Sequence, residues 1–204
     1  MNTKLSWPPL LVVDVEGNGA TPPELVEVAI LPITDGVLHA ERRREWLIRP
    51  AAPIPNHIVR IHGITNEALA GKPAWPEVAE DIRGALGQAW IVAHNASVEY
   101  KALTGHLPGW EPAGVIDTLR LARATYPEAA KHGLDPLIQH LGLPVADIPG
   151  QRHRAGFDAH ATALLLLDAA AHYDSWDELI SVAVPGTLPG LRPARPAFQE
   201  EPLW

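Results

Sequence analysis

The stretch LLVVDVEGNG, residues 10 to 19, sets the tightest limit on how this chain can fold. Leu10 to Val13 form a short, continuous apolar run of the kind found in strands covered on both faces. Such a strand carries acids only where something compensates their charge, because an unpaired carboxylate away from water is costly. Residues two apart in a strand project to the same side, so Asp14 and Glu16 share a face, about 6 to 7 Å apart along the chain. Hard divalent cations such as Mg²⁺ take carboxylate oxygens, and one site can draw acids from separate elements. An Asp-x-Glu pair at a strand end also arises by chance and is then simply solvated, so the pair needs company elsewhere in the chain.

Turn signals and periodicity order the rest. After the Asn18-Gly19 turn, ELVEVAILPI sets Leu25, Glu27 and Ala29 against Val26, Val28 and Ile30 and predicts a strand with one face more buried than the other. Asp35-Gly36 turns the chain again and VLHAERRREWLI follows as a third strand, so residues 10 to 48 read as an antiparallel meander. A Pro-rich connection, RPAAPIPNHIVRIHGIT, leads toward helices. Residues 76 to 86 open on Pro76 and space Val78, Ile82 and Leu86 four apart, one apolar helical stripe. AWIVAHN is a short buried strand, 96 to 107 a helix, Val115-Ile116 another short strand, and 133 to 141 a helix ended by Gly142. The alanine- and leucine-rich region from Phe157 to His172 is the strongest helix, and Ser175-Trp-Asp-Glu starts a last one as a capping box. Strands early and strand–helix alternation later predict an α/β fold with a mixed five-stranded sheet flanked by helices.

With 204 residues, 47% of them apolar and 20% charged, the chain is long enough for one domain with a substantial core. That domain is expected over 10–183, with 1–9 as an extension. From Pro185 onward five prolines in 20 residues exclude regular structure, so 184–204 is expected to be an extended or disordered tail. There is no cysteine, which excludes disulfides and thiolate zinc sites. No apolar run approaches a membrane-spanning length and the N-terminus lacks a signal-peptide core, so a soluble, cytoplasmic protein without membrane contact is expected.

Two further clusters give Asp14 and Glu16 their company. AHNASVEYKAL places His94 and Asn95 where a buried strand ends and Glu99 in the first turn of the following helix. HRAGFDAHATALL places His153 five residues before Asp158, too far for one face of a regular helix, so His153 is expected in the preceding loop. Each has an ordinary reading taken singly: His94 as a hydrogen-bonded core histidine, Glu99 and Asp158 as first-turn acids favoured by the helix dipole.

Taken together and in this order, Asp14-Val15-Glu16, His94-Asn95-Ala96 through Glu99, and His153 with Asp158 resemble the three motifs of the DEDDh family of 3′-to-5′ exonucleases. The resemblance covers residues 10 to 172, and IHGIT at 61–65 is similar to a family segment beside the terminal nucleotide. It implies a ribonuclease H-like fold and hydrolysis of phosphodiester bonds at the 3′ end of single-stranded DNA or RNA, releasing 5′-mononucleotides. It further implies two Mg²⁺ or Mn²⁺ ions per active site, held by Asp14, Glu16, Glu99 and Asp158, with Asp14 bridging them. His153 would be the general base, and Gly17, His62, Ile64, His94 and Asn95 would lie at the substrate. Two positions depart from the family's pattern. Glu99 stands where the family has Asp, which pushes the carboxylate out by about 1.5 Å, and Gly17-Asn18-Gly19 replaces Thr-Thr-Gly.

Charge narrows the substrate. A formal net charge of −8 offers no basic face, and Arg42-Arg43-Arg44 lies between Glu41 and Glu45, a pattern that reads as a solvated strand rather than a phosphate track. Few phosphate contacts and a small footprint at the strand terminus are expected. Delivery by a partner protein would suit such an enzyme, and the closing FQEEPLW resembles a sliding-clamp-binding peptide; the resemblance allows a homodimer or a polymerase-bound monomer. Two other readings stay open: a non-catalytic binding module whose site has decayed at Glu99, and a hydrolase of dinucleotides or short oligonucleotides.

Overall fold

A computed structural model describes residues 7–190. The apolar run does form a strand, β1 (Leu10–Gly17), and it extends through both acids. It pairs antiparallel with β2 (Leu25–Thr34), with Asp14 opposite Ala29 and Glu16 opposite Glu27. The predicted third strand is broken. A 3-10 turn at Ala40–Arg42 divides it into β3 (Val37–Leu38) and β4 (Arg44–Leu47), both paired with β2, so the sheet has six strands rather than the expected five. On its other side β1 runs parallel to β5 (Trp90–Ala93), and β5 parallel to β6 (Gly114–Asp117), giving the order β3-β2-β1-β5-β6.

Helices cover both faces. Between β4 and β5 come α1 (Asn56–His62), α2 (Asn66–Leu69) and α3 (Trp75–Leu86), and between β5 and β6 comes α4 (Ser97–His106). After β6 follow α5 (Thr118–Thr125), α6 (Leu134–Leu141), α7 (Ala155–Ala170) and α8 (Trp176–Ala183). One core layer joins Leu10, Val12 and Val92 of the sheet to Leu121, Leu165 and Leu179 of the later helices. The other joins Val13, Ile30 and Ile91 to Ile82, Leu86 and Leu103. Successive residues of β1 alternate between these layers, so Asp14 and Glu16 continue the Leu10–Val12 face toward α7.

The expected alternation in β2 is not found: Leu25 through Leu31 are buried on both faces, because the sheet lies between two helical layers. The three-arginine cluster is ion-paired, Arg43 to Glu45 at 2.9 Å, Arg44 to Asp81 at 2.8 Å and Arg42 to Glu41 at 3.6 Å. Trp7 is buried in the core, and at the other end the Val115 N–H donates to the Pro189 carbonyl at 2.8 Å along the outer side of β6. The rest of the Pro-rich tail, with its docking motif, lies outside the described residues. Among the described residues no helix is long and apolar enough to cross a membrane.

Candidate active site

The site forms where β1 ends against the start of α7. Carboxylate oxygens of Asp14, Glu16 and Asp158 lie within 4.8 Å of one another. Asp158 is brought there by the first turn of α7, which packs on β1 and β2. Glu99, in the first turn of α4, falls outside this triad but faces it: after burial, its repulsion is the largest influence holding Asp14 well above the ordinary carboxylate range. Burial raises Glu99 itself to about 8, and burial with repulsion from Asp158 and Glu27 raises Glu16 to about 8. Asp158 is also raised by burial, although Arg152 and His153 oppose the shift.

Glu99 and Asp158 are buried and Asp14 and Glu16 half-buried, so four acids share a site in which Arg152 pairs with Asp158 alone of them. Glu99 Oε2 is buried with no hydrogen-bond partner, and Arg152, which donates to Asp158, divides its donors between Asp158 and Asp135. An all-oxygen donor set with unbalanced negative charge fits Mg²⁺ or Mn²⁺.

His153 lies in the turn before α7, exposed, with its backbone N–H donating to Asp158 Oδ2 at 3.1 Å. Its φ of 60° is in the left-handed region, uncommon for a residue bearing a β-carbon but less so for Asn, Asp and His. Gly17 ends β1 at a register shift. It borders a cleft of about 850 Å³ lined by Val15 and Leu25 on one side and by Val98, Lys101 and His106 of α4 on the other. His62 is buried at the end of α1; its Nδ1 accepts from the Ile64 N–H at 3.0 Å while Nε2 has no partner.

The remaining predicted residues are turned to structural contacts. Ile64 is 3% exposed and packs with Val26, Ile54 and Leu69. Both ring nitrogens of His94 are engaged, Nδ1 with Thr118 Oγ1 and Nε2 with the His132 carbonyl, each at 3.0 Å. Asn95 is exposed at φ 70°, and its N–H donates to Asp117 Oδ1 at 3.0 Å. Asp117 also accepts from the first N–H groups of α5, so one side chain ties the Asn95 turn to a helix start. Asp117, Arg152, Glu27 and Arg154 all shape the site and were not flagged in the sequence. A lone acid inside the apolar run LVEVAI is the same signal that drew notice to Asp14, and it could have identified Glu27.

Residues 11–166 match the RNase_T exonuclease family. Over 165 residues the chain is 33% identical to a DNA polymerase III PolC-type of Halalkalibacterium halodurans, covering 76% of this chain and 11% of the relative. It is 34% identical over 166 residues to that of Bacillus subtilis, covering 77% of this chain and again 11% of the relative. The chain therefore spans about a tenth of these relatives' length. Among solved structures, Exonuclease X in complex with 5′ overhanging duplex DNA is 33% identical, with a TM-score of 0.67 over 79% of this chain and 91% of that one. The nuclease domain of 3′hExo, a DEDDh member bound to rAMP, shares the fold at 15% identity and a TM-score of 0.64, over 81% of this chain and 92% of that one. With the family match running through β1, α4 and α7, the chain belongs to the DEDDh group of the RNase_T exonuclease family.

Proposed function

We propose that the chain is a metal-dependent 3′-to-5′ exonuclease that removes 5′-mononucleotides from the 3′ end of DNA or RNA. The observation that carries this reading is the convergence of Asp14, Glu16 and Asp158 within 4.8 Å, with Glu99 and its unpartnered oxygen beside them. Two divalent ions, when bound there, neutralise the attacking and leaving oxygens of the phosphodiester. Asp14, Glu16 and Asp158 would hold them together with Glu99.

His153, exposed beside Asp158, accepts the proton of the attacking water. Gly17 lets the backbone approach the substrate closely, and the largely apolar cleft between Val15 and Val98 receives a base and sugar. His62, buried behind Gly17, supports the substrate side of the site. His94 and Asn95 act by bracing the turn before α4, and Ile64 by holding IHGIT in place. With its arginine cluster ion-paired and its net charge acidic, the chain grips only the strand terminus and works distributively or with a delivering partner.

The test is a time course on 3′- and 5′-labelled oligonucleotides with Mg²⁺, Mn²⁺ or EDTA: single-stranded DNA, single-stranded RNA, and duplex DNA with a 5′ overhang, the substrate form bound by the Exonuclease X structure. Stepwise shortening from the 3′ end, abolished by EDTA and by Asp14→Ala, supports the reading. Turnover unchanged in Asp14→Ala defeats it. Faster cleavage of dinucleotides than of 20-mers reassigns the substrate to short phosphodiesters.

A further inference from the structure

Glu27 lies inside β2, 2% exposed and directly opposite Glu16, yet its carboxylate is not free to join the acids of the site. Arg154 Nε donates to its two oxygens at 3.2 and 3.0 Å, Arg154 Nη2 donates at 2.5 Å, and the Ala155 backbone N–H donates at 2.8 Å. Both donors come from the residues immediately after His153. On the other side Asp158 accepts from the His153 N–H, so the turn that bears the imidazole is tied at both flanks to carboxylates of the site and its neighbouring strand.

His153 is exposed and holds a left-handed backbone, a conformation histidine adopts more readily than most residues, between the tie of its own N–H to Asp158 and that of the Ala155 N–H to Glu27. The start of α7 also lies against Glu45: a β-carbon at Gly156 would meet Glu45 Oε1, the far end of that side chain. Glu45 is engaged by Arg43, which leaves Arg154 to Glu27. A buried ion pair is a poor source of net stability, since desolvation offsets the attraction, but its two-point geometry holds the partners in one orientation.

We propose that Glu27 is a positioning residue for the nuclease reaction: through Arg154 and Ala155 it holds the turn that places the His153 imidazole beside the carboxylates. The proposal rests on the exonuclease reading, in which His153 receives a proton.

The test compares Glu27→Gln and Arg154→Met, each alone and combined with His153→Ala, in single-turnover and steady-state digestion of a 5′-labelled oligonucleotide with Mn²⁺. Calorimetric Mn²⁺ titration and thermal unfolding of each variant accompany it. Each single substitution is expected to lower kcat about 10- to 100-fold, the scale of a displaced general base, with KM and Mn²⁺ affinity unchanged. Neither lowers kcat further once His153 is alanine. Full multiplication of the two losses, an unchanged kcat, or a loss of Mn²⁺ affinity in step with the rate overturns the proposal. Should Glu27→Gln fail to fold at the assay temperature, Arg154→Met decides by the same comparison. A wild-type chain without nuclease activity defeats the exonuclease reading instead, and the His153 ¹H–¹³C resonance then tests the positioning. A distinct wild-type signal that collapses to that of a freely exposed histidine in Arg154→Met supports it, and an unchanged signal overturns it.

Discussion

Asp14 on β1 and Asp158 on α7, far apart along the chain, bring carboxylate oxygens within 4.8 Å of each other in a site where desolvation and the neighbouring acids hold Asp14 well above its ordinary pKa. The arrangement costs the metal-free fold stability and, in the proposed function, serves ion capture. Asp14→Asn removes the buried charge and keeps the volume. It is expected to stabilise the metal-free protein by about 0.5–2 kcal/mol, while Mn²⁺ no longer raises its unfolding temperature. Scanning calorimetry with and without Mn²⁺ checks both, and a less stable metal-free variant contradicts the account.

The same burial makes stability depend on pH in a definite direction. Glu16 and Glu99 are raised from 4.5 to about 8. A carboxyl that binds its proton more tightly when folded stabilises the fold below its unfolded pKa, and that contribution is lost as pH rises through the folded value. The metal-free chain is therefore expected to unfold at lower temperature as pH climbs from about 4.5 to about 8. Mn²⁺ replaces those protons, so its uptake should release protons and tighten over the same interval. Unfolding temperatures that rise with pH in EDTA would be inconsistent with the site.

Glu99, longer by one methylene than the family's Asp, places a buried and unpartnered Oε2 at the site. Glu99→Gln keeps the shape and removes the charge, and kcat should fall by about 10²-fold or more. Glu99→Asp withdraws the carboxylate by about 1.5 Å, and kcat should fall by up to about 10²-fold, as for other small misplacements. Steady-state rates in Mg²⁺ and Mn²⁺ measure both. An aspartate variant as fast as wild type would mean that the surrounding helix, and not the longer side chain, sets the position.

Remote from the site, Ser175 caps α8, its hydroxyl accepting from the Glu178 N–H at 3.1 Å. Ser175→Ala should cost about 1 kcal/mol of stability and leave kcat unchanged. The shift of the denaturant midpoint, with rates measured alongside, checks the separation.

Where the chain repeats a regular pattern the sequence was legible: Val78, Ile82 and Leu86 are the buried stripe of α3, and Ser175 is the cap it resembled. Irregular features were not. The meander's third strand breaks at Ala40–Arg42, a turn that no glycine or proline announces, and this is why five predicted strands became six. Helix α5, TLRLARAT, presents few apolar residues; the clue was Asp117 as its cap rather than any periodicity. Helices α1 and α2 are short and surrounded by prolines, and read only as a connection.

At the site, Asp14 and Glu16 stood out because acids at the end of an apolar strand need compensation, while Glu99, His153 and Asp158 were picked out by the resemblance of their clusters, in order, to the family's motifs. The restraints on them come from contacts distant in sequence. The Glu27–Arg154 pair is created when β2 meets α7, and the Asp117–Asn95 bond when β6 lies beside β5. Neither spacing nor periodicity within one element contains them.

Isothermal titration of Mn²⁺ into the metal-free protein and its Asp14→Asn variant tests most directly whether acids from β1, α4 and α7 form one ion cage. The account predicts two ions bound per wild-type chain, with protons released, and no comparable uptake by the variant. Heats no larger than dilution, or identical binding by both proteins, would contradict it.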